Sequence, residues 1–236
     1  ETNLAQVELQ ADRALRHTLV AAQKPRMERV EMARRLARWL MNATPTASSL
    51  QTAVAWQSDQ GAFVDWARFR LLGGDELPDL SQAYSACREA VIARRNAFAK
   101  PFAQALVQWN AQKPAPEGRI IPLESVLEHV LAPIAAAHPT LLLVMDGLST
   151  SIFRELFARI ASHGWAEMVP SSLGQPLAGV AALPTITEVS RASLLCGRLT
   201  VGASAQEKTG FATNAALLAH SRADAPPRLF HKGDLA

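Results

Sequence analysis

Thr140-Leu141-Leu142-Leu143-Val144-Met145-Asp146-Gly147 is the stretch on which the reading of this chain turns. A short, unbroken apolar run closed by Asp-Gly predicts a strand buried on both faces of a parallel sheet. Helical periodicity flanks it over residues 122–137 and 151–163. Further short strands are expected near 165–169, 180–183 and 228–231, with helices over 188–196 and near 214–220. Strand and helix alternate, which is the pattern of an α/β arrangement.

Upstream the grammar is different. Lys113-Pro114-Ala115-Pro116-Glu117-Gly118 marks a boundary, and everything before it reads as helix after helix. Val7, Leu9, Ala11, Ala14, Leu15, Thr18 and Leu19 share a period near 3.6 until Lys24-Pro25 interrupts it. Pro25 suits the first position of a second helix, whose apolar face is Met27, Val30, Met32, Leu36, Trp39 and Leu40. Asn42-Ala43-Thr44-Pro45-Thr46 ends it, and helices follow over residues 47–58, 62–72 and 80–110. Pro101 is expected to kink or split the last, because it removes a helix bond and crowds the preceding turn. Trp39, Trp56, Trp66 and Trp109 read as core residues. Arg29, Arg34, Arg35 and Arg38 form either a nucleic-acid face or a solvated, salt-bridged helix surface. Glu28 and Glu31 at helical spacing favour the second. The expected organisation is thus a helical module over 1–113 and an α/β part over 120–236.

Composition sets limits on function. The 236 residues are 49% hydrophobic and 19% charged, enough apolar material for a core and unlike a disordered tail. A balance of 24 Lys+Arg against 21 Asp+Glu gives +3, far from the footprint of a protein held to DNA by phosphate contacts. Two cysteines, Cys87 and Cys196, cannot build a disulfide scaffold and point to a reducing, cytoplasmic compartment. No apolar stretch reaches the roughly 18–20 residues of a membrane span. The opening Glu1-Thr2-Asn3 lacks an initiating Met and the features of a signal peptide, so the chain reads as a piece of something longer.

Two positions carry the chemistry. Ligands of open α/β sheets collect beyond the carboxyl ends of the strands, where Asp146 stands beside a glycine. Its carboxylate is either a metal ligand or an Asx-turn or cap for the helix beginning near Ser149. Thr187 precedes a helix-forming stretch and is either a plain N-cap or a hydroxyl at a phosphate-binding helix start. Arg191, one turn on, shares that side of the helix. A threonine hydroxyl needs a base or a divalent cation to become a nucleophile, so Asp146 and Thr187 make more sense together than apart.

These segments carry a resemblance. Leu141-Leu142-Leu143-Val144-Met145-Asp146-Gly147 and Leu183-Pro184-Thr185-Ile186-Thr187-Glu188-Val189-Ser190-Arg191-Ala192-Ser193-Leu194-Leu195-Cys196-Gly197 are similar to the PglZ domain. Phe230-His231-Lys232-Gly233-Asp234-Leu235 resembles it too. That family belongs to the alkaline-phosphatase superfamily and occurs in BREX bacteriophage-defence systems. The resemblance implies a partial α/β domain of three-layer, alkaline-phosphatase-like type, cut short at the C-terminus, after the helical module. It implies hydrolysis of phosphoesters with a two-metal site, most naturally zinc. Thr187 would be nucleophile and metal ligand, Asp146 a metal ligand and Arg191 a phosphate contact. Thr185 is the fallback nucleophile. Implied partners are other BREX proteins, with indirect nucleic-acid association and no membrane.

The superfamily completes its metal site with Asp and His residues downstream of the nucleophile. His220, Asp224, His231 and Asp234 do not read as that set, and His231 is the nearest to fitting. On its own the chain is therefore expected to be nearly inactive. The alternative is a catalytically silent interaction module of a multi-protein defence complex, docking through its helical half.

Overall fold

In α2, Lys24–Met41, the periodic residues Met32, Leu36 and Trp39 face inward, and proline opens the helix at its first turn. The computed structural model describes residues 3–17, 20–43, 48–112 and 119–235. Thr18, Leu19, the Thr44-Pro45-Thr46 break, Ala47 and the 113–118 boundary lie outside them. The chain forms two compact units: Glu1–Gln112 with Ser149–Gly164, and Lys113–Leu148 with Trp165–Ala236.

The first unit is helical among its described residues. α1, Leu4–Leu15, is capped by Asn3 and packs on α2. α3, Leu50–Trp56, starts at a Ser49–Thr52 capping box and runs through one π turn, Gln57–Gly61, into α4, Ala62–Arg70. α5 spans Pro78–Ala111 without interruption, so of the kink or split expected at Pro101 the split does not occur. Proline costs one helix bond there, but Phe98 and Phe102 seat the turns on either side against the core. That core joins Leu36, Ala53, Trp56, Val64, Ala67, Leu71, Tyr84 and Val91. Trp56 lies 4.3 Å from Phe98 and 6.2 Å from Trp39 between ring centroids.

The arginines of α2 are paired. Arg29 reaches Asp75, Arg34 and Arg35 reach Glu31, and Arg38 meets Glu8 of α1. This is the salt-bridged surface that the Glu31 spacing suggested, extended by partners from other elements. Arg94 of α5 donates to the carbonyls of Trp39 and Leu40 at 2.8 Å each, closing the end of α2.

A helix expected in the α/β half belongs to the first unit. α7, Thr150–Ile160, is capped by Ser149 and packs on α4, where Glu155 accepts from Trp66 Nε1 at 3.1 Å and Arg70 at 3.2 Å. Apolar periodicity gives α7 a face to bury but does not name its partner, which is α4.

In the second unit β1, Ile120–Pro122, pairs in parallel with β2, Ala178–Val180, with Ile121 opposite Gly179. Between them the helical stretch expected over 122–137 resolves into a 3₁₀ turn, Leu123–Ser125, a π turn, Leu127–Leu131, and α6, Ala132–Ala137. α8, Thr187–Cys196, ends at Gly197 in the left-handed region with φ 67°, which glycine enters without a Cβ penalty. α9, Ser204–Ala212, lies against α8, and α10, Ala215–Leu218, is capped by Asn214. Leu127, Leu131, Leu194, Leu195, Phe211 and Leu217 form their core.

Three expected strands are corrected. Residues 140–145, 165–169 and 228–231 carry no ladder among the described residues. A strand exists through its neighbour's amides and carbonyls, and the run 140–145 is bonded to none in a ladder among the described residues. Leu142 packs on the core, whereas Leu141 is 85% exposed and Leu143 69%. The strand expected at 180–183 lies instead at Ala178–Val180. No helix among the described residues is long and apolar enough to cross a membrane.

Candidate functional site

Asp146 sits in a turn closed by the Leu148 amide on the Met145 carbonyl, with Gly147 at φ 74°. A residue with a Cβ is strained at that angle, so the glycine is what lets the chain fold back behind the carboxylate. Asp146 does not cap the following helix, because Ser149 does. Its Oδ2 instead accepts the Thr187 hydroxyl at 3.1 Å, and Arg191 Nη1 stands 3.4 Å from the same oxygen.

Thr187 is the first residue of α8, and the N-cap position belongs to Ile186, which makes no side-chain cap. The plain N-cap reading of Thr187 is therefore replaced by a bond across the fold. Its hydroxyl points to Asp146 from a helix start, where free N–H groups and the positive end of the helix dipole favour an anion. The bond comes from Thr187, while Thr185 lies exposed in the approach to the helix. Arg191, one turn further along α8, brings its guanidinium to the same end.

Glu207 of α9 is fully buried and receives Arg191 Nε at 2.9 Å. His231 Nε2 stands 3.3 Å from the other carboxylate oxygen, off the hydrogen-bond line. Asp234 accepts the His231 amide at 2.7 Å and pairs with Lys208 at 2.7 Å, and that lysine bond leads in holding its carboxyl below the usual range. Asp224 pairs with its neighbour Arg222 at 2.8 Å, and the His220 amide bonds the Leu217 carbonyl in the turn after α10. Burial raises the Cys196 thiol above its ordinary value, assisted by Glu207, in keeping with a packed cysteine.

The structure thus brings Asp146, Thr187 and Arg191 together, and adds Glu207, which sequence reasoning missed. The one signal available was a lone acid in a helix with little apolar periodicity. His231 comes to Glu207 and not to Asp146. Among the described residues no three His, Cys, Asp or Glu side chains gather as a metal-binding group. Asp146 and Thr187 are two ligating residues, against the four ligands of a structural zinc or the three protein ligands of a catalytic one. These residues therefore do not by themselves make a zinc centre. What they do provide is an oriented hydroxyl, a carboxylate able to take its proton and a cation beside both. No protein-family model, curated protein or solved structure matches the chain.

Proposed function

We propose that the chain carries the threonine end of a phosphoester-hydrolysing site of PglZ type, within an alkaline-phosphatase-like domain that serves bacterial anti-phage defence. The observation that carries the reading is the Thr187–Asp146 bond of 3.1 Å, made across 41 residues at the start of α8. In this reading Thr187 Oγ forms a bond to phosphorus while the bond to the leaving oxygen breaks. The hydroxyl proton, already directed at Asp146 Oδ2, passes to that carboxylate. Arg191 and the N-terminal amides of α8 take up the phosphoryl charge, and water later releases phosphate from Thr187. The resemblance adds divalent metal, zinc first; Asp146 and Thr187 would be two of its ligands, and the others would come from outside this pair. With such a Lewis acid on the hydroxyl, Asp146 would stay an ionised ligand instead of taking the proton.

The test is turnover of bis-p-nitrophenyl phosphate and p-nitrophenyl phosphate, with zinc added, by the longest natural protein containing this sequence. Hydrolysis is expected and its loss in Thr187→Ala follows; equal turnover by the two proteins overturns the reading. A silent interaction module is the second reading. The helical half was the expected docking surface, but the support for this reading lies in the second unit, where Leu141, Leu143, Trp165 and Met168 are exposed. Zinc titration by calorimetry separates the two, since Asp146→Asn weakens binding only in the first.

A further inference from the structure

Arg191 touches two carboxylates, and they are not equivalent. Glu207 is fully buried and bonds Nε at 2.9 Å; Asp146 has a side chain 49% exposed and stands 3.4 Å from Nη1. A buried, short, charge-assisted bond persists, whereas a long one at an exposed oxygen yields to a competing anion. A guanidinium is planar, so anchoring Nε fixes the plane and the direction of both Nη groups. Here Nη1 stands at the Asp146–Thr187 end of α8.

We propose that Glu207 is a positioning residue: it holds Arg191 so that the Nη groups meet a phosphate placed at Thr187, which displaces Asp146 from Nη1 and leaves the Glu207 bond in place. The proposal rests on the phosphoester reading for its ligand, yet its own content is the orientation of one side chain. The partners of Glu207 from the packed elements are Arg191 of α8 and His231 of the C-terminal segment. The second is clamped by the Asp234–Lys208 pair to α9. Removing the negative charge at Glu207 therefore frees the guanidinium without removing any group that would face the phosphate.

The experiment is nuclear magnetic resonance of the chain, observing arginine Nε–H groups and titrating inorganic phosphate. One Nε–H signal, absent in Arg191→Lys, is expected to exchange slowly with water and to stay in place when phosphate is added. In Glu207→Gln, with backbone dispersion retained, that signal moves to fast exchange and phosphate affinity falls at least about tenfold. Glu207→Asp restores part of both. Should Glu207→Gln unfold, Glu207→Asp and the wild-type signal still decide. A wild-type Arg191 Nε–H in fast exchange overturns the proposal. So does the absence of phosphate binding, or a folded Glu207→Gln with unchanged affinity. Phosphate binding with the expected Glu207 dependence but no ester hydrolysis would overturn the catalytic reading alone.

Discussion

Thr187 donates its hydroxyl to Asp146 over 3.1 Å, although 41 residues of chain separate them. Both groups are partly open to solvent, so the bond contributes about 1 kcal/mol or less to stability. Thr187→Val keeps the shape and removes the hydroxyl. Its thermal midpoint should stay within about 2 °C of wild type. Phosphoester turnover by the longest natural protein should fall by at least about 10³-fold. A large loss of stability with modest loss of turnover would make Thr187 a structural residue.

Asp75 gives the first unit a dependence on pH. Arg26 Nε bonds both of its oxygens at 3.0 Å, and Arg29 and the Leu77 amide add to them. The Arg26 bond is the leading cause that holds the carboxyl well below the usual aspartate range. A folded-state value below the unfolded one, about 3.9, stabilises fully above that value and is lost as pH falls through the folded one. Melting curves taken downward from neutral pH should therefore show wild type losing its advantage over Asp75→Asn below about pH 4. A constant difference between the two across that range contradicts this account.

Arg94 adds a side chain to the backbone turn that ends α2, where the Asn42 amide already bonds the Trp39 carbonyl at 3.2 Å. Its bonds to the Trp39 and Leu40 carbonyls satisfy groups that a helix end leaves open, and its charge lies 4.4 Å from the Trp39 ring centre. Arg94→Ala should cost about 1.5–3 kcal/mol in urea denaturation. Arg94→Lys, with one rotating ammonium in place of a planar fork, should recover less than half. Full recovery with lysine would show that charge alone suffices.

α8 and α9 meet at Gly210, where a Cβ would lie 2.4 Å from Cys196 Sγ and 3.0 Å from its Cα. Backbone as well as side chain stands in the way, so Gly210→Ala should destabilise the second unit by about 1–3 kcal/mol. Gly73→Ala, with nothing within 4 Å of the added methyl, is the control and should stay within about 0.5 kcal/mol. Similar values for both would mean the helices part at little cost.

Helices were legible where apolar spacing repeats over several turns, as in Met32, Leu36 and Trp39, because one face is enough to announce itself. β1 escaped notice because three residues, Ile120–Pro122, are too few to display a period. α9 escaped because its buried residues are Phe211 and a carboxylate, Glu207, which no hydrophobic pattern predicts. The run 140–145 misled in the opposite sense: its composition states what kind of strand it suits, while pairing depends on neighbours elsewhere in the chain. At the site, Asp146 and Thr187 were readable from a glycine turn and a helix start. The lock on Arg191 was not, since a buried ion pair is a property of two helix faces meeting.

The first unit closes on itself through α7, a helix written after the opening residues of the second unit. During vectorial synthesis Trp66 and Arg70 must leave the ribosome and wait, without Glu155, while β1 and α6 are made. Within the first unit, early packing is therefore that of α1 to α5 without α7. Any attempt to express the helical module by stopping at its last contiguous residue would capture that waiting state in place of the finished unit.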